Sequence, residues 1–156
     1  MTARKPRSTR PLLPPLVLGA ALALMVVLHL VAPAPSLVVW PWGGVLGGTL
    51  ILLGIALNLW ADGLFKRVGT TVKPDELARV LVVDGPYALT RHPMYLGFVL
   101  IVVGTACALG SAAPWLVVPV FVAVVRQRYV LPEEAKLTVV FGDRYREYGR
   151  RTRRWL

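Results

Sequence analysis

Charge is missing from two long stretches of this 156-residue chain: no Asp, Glu, Lys or Arg occurs from Pro11 to Ala61 or from His92 to Val125, 51 and 34 residues respectively. A water-soluble domain of this size cannot leave such lengths uncharged, which excludes an ordinary soluble fold. Cysteine is nearly absent as well. Cys107 stands alone, so an internal disulfide and a cysteine metal cluster are both excluded. Only two histidines occur, and His29 has no second His, Cys or acidic residue at ligand spacing, so no metal site is expected.

What fills the gaps is apolar: 56% of all residues are hydrophobic. A helix needs roughly 20 apolar residues to cross the hydrocarbon layer, so each gap holds two crossings and not three. Pro33-Ala34-Pro35-Ser36 divides the first gap and Gly110-Ser111-Ala112-Ala113-Pro114 the second. The expected fold is all-α integral membrane, a single domain over 1–156. It has four transmembrane helices near 12–32, 38–61, 93–109 and 115–130, and a cytoplasmic amphipathic tail helix within 131–156. A cleavable signal peptide is disfavoured because Pro35 would follow the cut at Ala32-Pro33-Ala34.

Lys and Arg in the loops set the orientation. The N-terminal segment carries Arg4, Lys5, Arg7 and Arg10, and the middle loop carries Lys66, Arg67, Lys73, Arg79 and Arg91. The tail holds the other nine, and the two hairpin loops hold none. Four crossings place all three basic segments on one side. The positive-inside rule makes that side cytoplasmic, with both termini there, in the plasma (inner) membrane as a multi-pass protein. Trp40, Trp42 and Trp115 then mark the outer interface, and Trp60 and Tyr129 the inner one. The net charge of +10 flanks apolar spans, so the expected partners are membrane lipid and not nucleic acid.

Gly43-x-x-x-Gly47 and Gly44-x-x-x-Gly48, with Gly54 further on, predict close helix packing within the bundle. Asn58 and Asp62 share one face at the inner end of the second helix, where a functional and a merely solvated reading stay open. Pro119 predicts a kink in the fourth helix. The mixed segment from Gly63 to Thr90 is expected on the membrane surface. In the tail, Leu137, Val140, Phe141, Tyr145 and Tyr148 approximate amphipathic spacing, which Gly142 weakens, so two short helices are an alternative.

Two clusters carry chemistry-bearing residues. The first is Gly85-Pro86-Tyr87 with Arg91-His92-Pro93-Met94-Tyr95-x-Gly97, opening the third helix. A helix N-terminus beside Arg91 favours an anion. The second is Glu133-Glu134 with Phe141-Gly142-x-x-Tyr145-x-x-Tyr148, whose carboxylates favour a cation. Each cluster also reads as an ordinary helix start. Together they suit a zwitterionic aromatic cofactor.

The ordered run Gly85-Pro86-Tyr87-x-x-x-Arg91-His92-Pro93-x-Tyr95-x-Gly97, then Glu133-Glu134-x-x-Leu137-x-x-x-Phe141-Gly142-x-x-Tyr145-x-x-Tyr148 and the final Arg154-Trp155, resembles the isoprenylcysteine carboxyl methyltransferase family. Related phospholipid N-methyltransferases are similar in the same places. The resemblance implies an S-adenosylmethionine-dependent methyltransferase acting at the cytoplasmic face on a lipophilic small-molecule or lipid-linked substrate, with a carboxylate, amine or thiol as acceptor. It implies a cofactor pocket of Tyr87, Arg91, His92, Tyr95, Gly97, Glu133 and Glu134, with Arg91 and His92 as catalytic candidates. The acceptor, the need for a general base and the oligomeric state stay open. The alternatives are an NADPH-dependent membrane reductase resembling sterol reductases, which the paired carboxylates disfavour, and a non-catalytic membrane scaffold.

Overall fold

A computed structural model describes residues 13–32, 35–37, 41–68 and 80–155. The regular elements among them are all helical. Three stretches are long and apolar enough to cross a membrane: Pro14–Val31, Trp42–Arg67 and Ala113–Phe141. A further apolar helix, Pro93–Leu109, has 17 residues. Helix α1 (Pro14–Val31) begins with proline in its first turn, where the missing N–H would be unpaired anyway. It leaves Leu16, Leu24, Val27, Leu30 and Val31 exposed, a face apolar enough to lie in hydrocarbon.

Helix α2 (Trp42–Val68) continues past the expected end at 61. The apolar pattern stops at Ala61, but helix propensity does not. Asp62 pairs with Lys66 one turn on, and Lys66 and Arg67 offset the dipole in the last turn. A short helix, α3 (Pro86–Leu89), leads into α4 (Pro93–Leu109). Of the mixed segment from Gly63 to Thr90 expected on the membrane surface, the first residues continue α2 to Val68, Pro86–Leu89 form α3, and 69–79 lie outside the described residues, as do Trp40 and the basic N-terminal segment.

Helix α4 is central, packed along α2 and touching α1 and α5. Its antiparallel contact with α2 is built on glycine. A Cβ at Gly47 would lie 2.5 Å from the Gly104 carbonyl oxygen, and one at Gly54 would lie 2.5 Å from that of Gly97. Ile51 fills the space beside Gly104, and Ile101 the space beside Gly54. Backbones meet at both levels, as the Gly43-x-x-x-Gly47 stripe predicts. Gly48, on the neighbouring stripe, meets nothing within 4 Å.

The last of the three long apolar stretches is one continuous rod of changing pitch. A 3-10 turn (Ala113–Leu116) leads into α5 (Val117–Val125), a π turn (Arg126–Val130) and α6 (Leu131–Phe141). The irregularity falls at the π turn, while Pro119 sits inside regular α5. Pro132 has no N–H to give the preceding turn, and the wider π turn, closed by the Leu131 N–H on the Arg126 carbonyl, lets the helix run through it. The helix stops at Gly142, whose φ of 54° and ψ of −124° turn the chain into α7 (Asp143–Arg151). The tail is therefore two helices, the first an extension of the span.

Backbone ties close the bundle at both ends. At one end Leu37 N–H donates to Gly110 O at 2.8 Å and Ala112 N–H to Pro35 O at 3.0 Å, joining the two hairpin connections. There His29 Nδ1 lies 2.7 Å from Ser111 Oγ, so His29 ties α1 to the second connection. At the other end Arg91 N–H donates to Arg153 O at 2.9 Å, drawing the C-terminal strap across the start of α4.

Candidate functional site

The turn at Gly85 and the four-residue α3 hold Thr90 extended, so Arg91 and His92 stand at the mouth of α4. Pro93 fixes the first turn of that helix. Opposite, Pro132 opens α6 and places Glu133 and Glu134 in its first turn. Helix α7 covers both from above. The Tyr148 hydroxyl donates to the Tyr87 carbonyl at 2.6 Å, and Thr90 Oγ1 donates to the Arg154 carbonyl at 3.0 Å. The roof is thus fastened on two sides.

Inside, three charged or titratable groups converge on Glu134. His92 Nε2 lies 3.2 Å from Oε1, across 42 residues of sequence. Arg91 Nη1 is 3.3 Å from the same oxygen. Arg154 donates through Nε to Oε1 at 2.9 Å and through Nη2 to Oε2 at 2.7 Å. Glu133 faces a different set: its Oε2 is 3.8 Å from His92 Nδ1, and Tyr95 hydrogen-bonds its carboxylate. Tyr95 stacks on Tyr129 with centroids 6.0 Å apart and tilts against His92 at 5.8 Å, while Trp155 approaches His92 at 6.5 Å.

Burial pulls the His92 imidazole below its ordinary value of 6.5, Glu134 partly opposes this, and Arg91 and Arg154 add to it. His92 is thereby held neutral near pH 7. Burial also pushes the Tyr145 hydroxyl up to about 12, so it stays protonated.

Of the residues singled out in the sequence, Arg91, His92, Tyr95, Glu133 and Glu134 form one cluster. Tyr87 is buried beside them, within a small apolar group with Ala61 and Val82, its ring edge-on to Phe65 at 5.2 Å. Gly97 lies elsewhere: it abuts Gly54 and the Asn58 amide at the α2–α4 crossing, where a Cβ would collide with both. Helix packing alone accounts for that glycine. Tyr129, expected at the inner interface, is buried against Tyr95 instead. Asp62 is engaged by Lys66, and Asn58 Nδ2 donates to the Gly54 carbonyl at 2.9 Å. Arg154 and Tyr145 belong to the motif but receive no role from sequence alone. The only pointer to them is the i, i+3 pairing of Tyr145 with Tyr148 and the arginine left so close to the chain end.

Two comparisons with known proteins bear on this cluster. The model of the phospholipid methyltransferase family matches residues 42–144, which takes in α2, the Arg91-His92 elbow and the Glu133-Glu134 turn. The chain belongs to the phospholipid methyltransferase family. Members of this family are membrane methyltransferases, and the resemblance read from the motifs holds at this level. An uncharacterized protein of Haemophilus influenzae is 41% identical over 63 residues, 40% of this chain and the whole of that protein. The protein-S-isoprenylcysteine O-methyltransferase of Schizosaccharomyces pombe is 36% identical over 72 residues, 46% of this chain. The match spans only 30% of that enzyme's length. Neither the reductase nor the scaffold alternative is favoured by these matches.

Proposed function

We propose that this methyltransferase binds S-adenosylmethionine in the cluster between α4 and α6 and passes its methyl group to a lipophilic or lipid-linked acceptor at the cytoplasmic membrane face. The observation that carries the reading is the convergence of Arg91, His92, Glu133 and Glu134 under one aromatic roof. The donor set fits a zwitterionic nucleoside: Arg91 for a carboxylate, Glu133 for an ammonium or ribose hydroxyls, and the Tyr95 and Tyr87 rings for a flat base. The basic segments around the site support the cytoplasmic side.

The cofactor, when bound, supplies a methyl carbon on a sulfonium, which is already an activated leaving arrangement. The protein must align the acceptor with it and exclude water. Glu134 holds Arg91 and His92 in place from within the wall. A carboxylate acceptor arrives ionised and needs no base. For an amine or thiol acceptor, His92 is the proton acceptor: neutral through burial and donating from Nε2 to Glu134, it keeps the Nδ1 lone pair free toward Glu133. Arg91 acts beside it as the fixed positive charge that orients the cofactor.

The test is transfer of a labelled methyl group from S-adenosylmethionine into a total lipid and isoprenoid extract by detergent-purified protein, with calorimetry against S-adenosylhomocysteine and NADPH. Labelled lipid and binding of the homocysteine product alone support the reading. Binding of NADPH instead returns the reductase, and binding of neither returns the scaffold.

A further inference from the structure

The buried face of the long rod changes its spacing at one place. In α5 the buried positions fall at steps of four: Val117, Phe121 and Val125. The next step is five residues, to Val130, and the one after is four again, to Glu134. In an unbroken α-helix a step of four ends about 40° from the starting face, and a step of five about 140° from it. Continued as an α-helix, the rod would carry Val130 and Glu134 off the inner face. The π turn over Arg126–Val130 takes up one extra residue and keeps both on it.

Burial identifies the side chain that the extra residue brings in. Arg126, Gln127 and Arg128 are exposed, whereas Tyr129 is buried directly beside Val130. Val130 joins the apolar core with Phe121 and Val125. Tyr129 packs elsewhere: its ring is stacked on Tyr95, with centroids 6.0 Å and planes 26° apart. Tyr95 in turn donates its hydroxyl to the Glu133 carboxylate and tilts against the His92 ring at 5.8 Å. The Glu133 side chain is 43% exposed, so close packing does not hold it and polar partners such as the Tyr95 hydroxyl must aim it. One ring on α4 thus connects the π turn with Glu133 and His92. Single π turns inside α-helices are frequent at functional sites, and here the added residue sets an aromatic face where a regular helix would set none.

We propose that Tyr129 is a positioning residue of the methyl-transfer site: brought inward by the π turn, it fixes the Tyr95 ring, and Tyr95 so fixed aims the Glu133 carboxylate. Tyr129 itself touches no reactant. This rests on the proposed function above, which gives Glu133 to the ligand.

The experiment is a double-mutant cycle on the full chain in detergent, read by calorimetry with S-adenosylhomocysteine, with thermal unfolding of the unliganded protein to show that each variant is folded. Tyr129→Leu keeps an apolar side chain and loses the stacked ring, and is expected to weaken the ligand roughly fivefold, in line with the strength of an aromatic pair. Tyr129→Phe keeps the ring and should restore that affinity. Tyr95→Phe keeps the stack but cuts the hydroxyl that reaches Glu133, so adding Tyr129→Leu to it should cost nothing further. Should the leucine variant not fold, Tyr129→Met takes its place in the cycle. Undiminished affinity in Tyr129→Leu, equal weakening in Tyr129→Phe, or a loss that adds in full to that of Tyr95→Phe each overturns the positioning role and leaves the cofactor reading standing. Failure of wild type to bind S-adenosylhomocysteine overturns the cofactor reading, and the positioning role with it.

Discussion

Arg154 meets Glu134 fork to fork, Nε on Oε1 at 2.9 Å and Nη2 on Oε2 at 2.7 Å, and so fastens the last residues of the chain to the first turn of α6. His92 and Arg91 crowd the same Oε1 at 3.2 and 3.3 Å. Every lone pair of that carboxylate with a partner in reach is spent inside the protein. The two adjacent glutamates are therefore different in kind: Glu134 builds the wall, and Glu133, facing His92 and Tyr95, is the one that the proposed function gives to a ligand.

That difference is measurable. Glu134→Gln removes the charge that Arg91 and Arg154 share and is expected to lower stability by about 2 kcal/mol, at the low end for a broken buried pair because Arg154 stays partly solvated. Thermal unfolding in detergent reads it directly. Glu133→Gln should leave the unfolding midpoint in place and weaken S-adenosylhomocysteine in calorimetry. Equal loss of stability in both variants would contradict the division of roles.

Gly97 offers a separate test, since the resemblance assigns it to the cofactor and the geometry assigns it to helix packing. In Gly97→Ala the new Cβ strikes the Gly54 carbonyl and the Asn58 amide, and the carbonyl, being helix backbone, cannot give way. Spreading α2 from α4 is expected to cost about 1–3 kcal/mol, the usual range for overpacking. Asn58→Ala in the same chain clears one of the two obstacles and should recover part of the loss, a non-additivity that a double-mutant cycle measures. A Gly97→Ala protein of normal stability that has lost cofactor affinity would instead place Gly97 in the pocket.

His92 gives the site a pH dependence of known sign. Its folded-state value lies below 6.5, so between the two values the unfolded chain binds a proton that the folded chain does not. Stability is then fully present above about pH 6.5 and falls as the pH drops below it. His92→Gln stays neutral at all pH and should flatten that limb of the curve, leaving only the carboxylate limb at lower pH. An unfolding midpoint with the same acid slope in wild type and variant would show that His92 is not held neutral.

How much of this was legible in the chain depends on which force set each feature. The spans follow from uncharged apolar runs, because hydrocarbon tolerates nothing else, and the Gly43-x-x-x-Gly47 stripe followed from its spacing. Helix ends were less legible. Asp62, Lys66 and Arg67 are polar yet helical, and hydropathy alone cannot see that α2 continues through them to Val68. The expected end of the last span near 130 falls just before Pro132, and proline breaks the ordinary ladder. The π turn that carries the helix past it depends on the register of the preceding residues, Arg126–Val130. The candidate site was legible as two motifs, and their meeting across 42 residues between His92 and Glu134 required only that both lie on one membrane side. The inequality of Glu133 and Glu134 was not. It is decided by Arg154, which reaches Glu134 only because the strap is pinned by Thr90 and Arg91.

The hinge of the roof is the last place where sequence and structure make a sharp claim together. Gly142 joins α6 to α7 with φ of 54° and ψ of −124°, a combination open to glycine and strained for any residue with a Cβ. No atom lies within 4 Å of where that Cβ would sit, so the penalty in Gly142→Ala is one of backbone conformation and not of collision. The chain can relieve about 1–3 kcal/mol of strain by lifting α7 off the site, since α7 is held mainly by the Tyr148 bond and the 153–154 strap. Hydrogen exchange should then rise in 143–155 while Pro93–Leu109 keeps its protection. Cofactor affinity should fall with the opening of the roof, and saturating S-adenosylhomocysteine should restore protection to 143–155 by binding the closed form. Unaltered exchange over α7 in the variant would mean that the turn is relaxed some other way, and that α7 does not ride on Gly142.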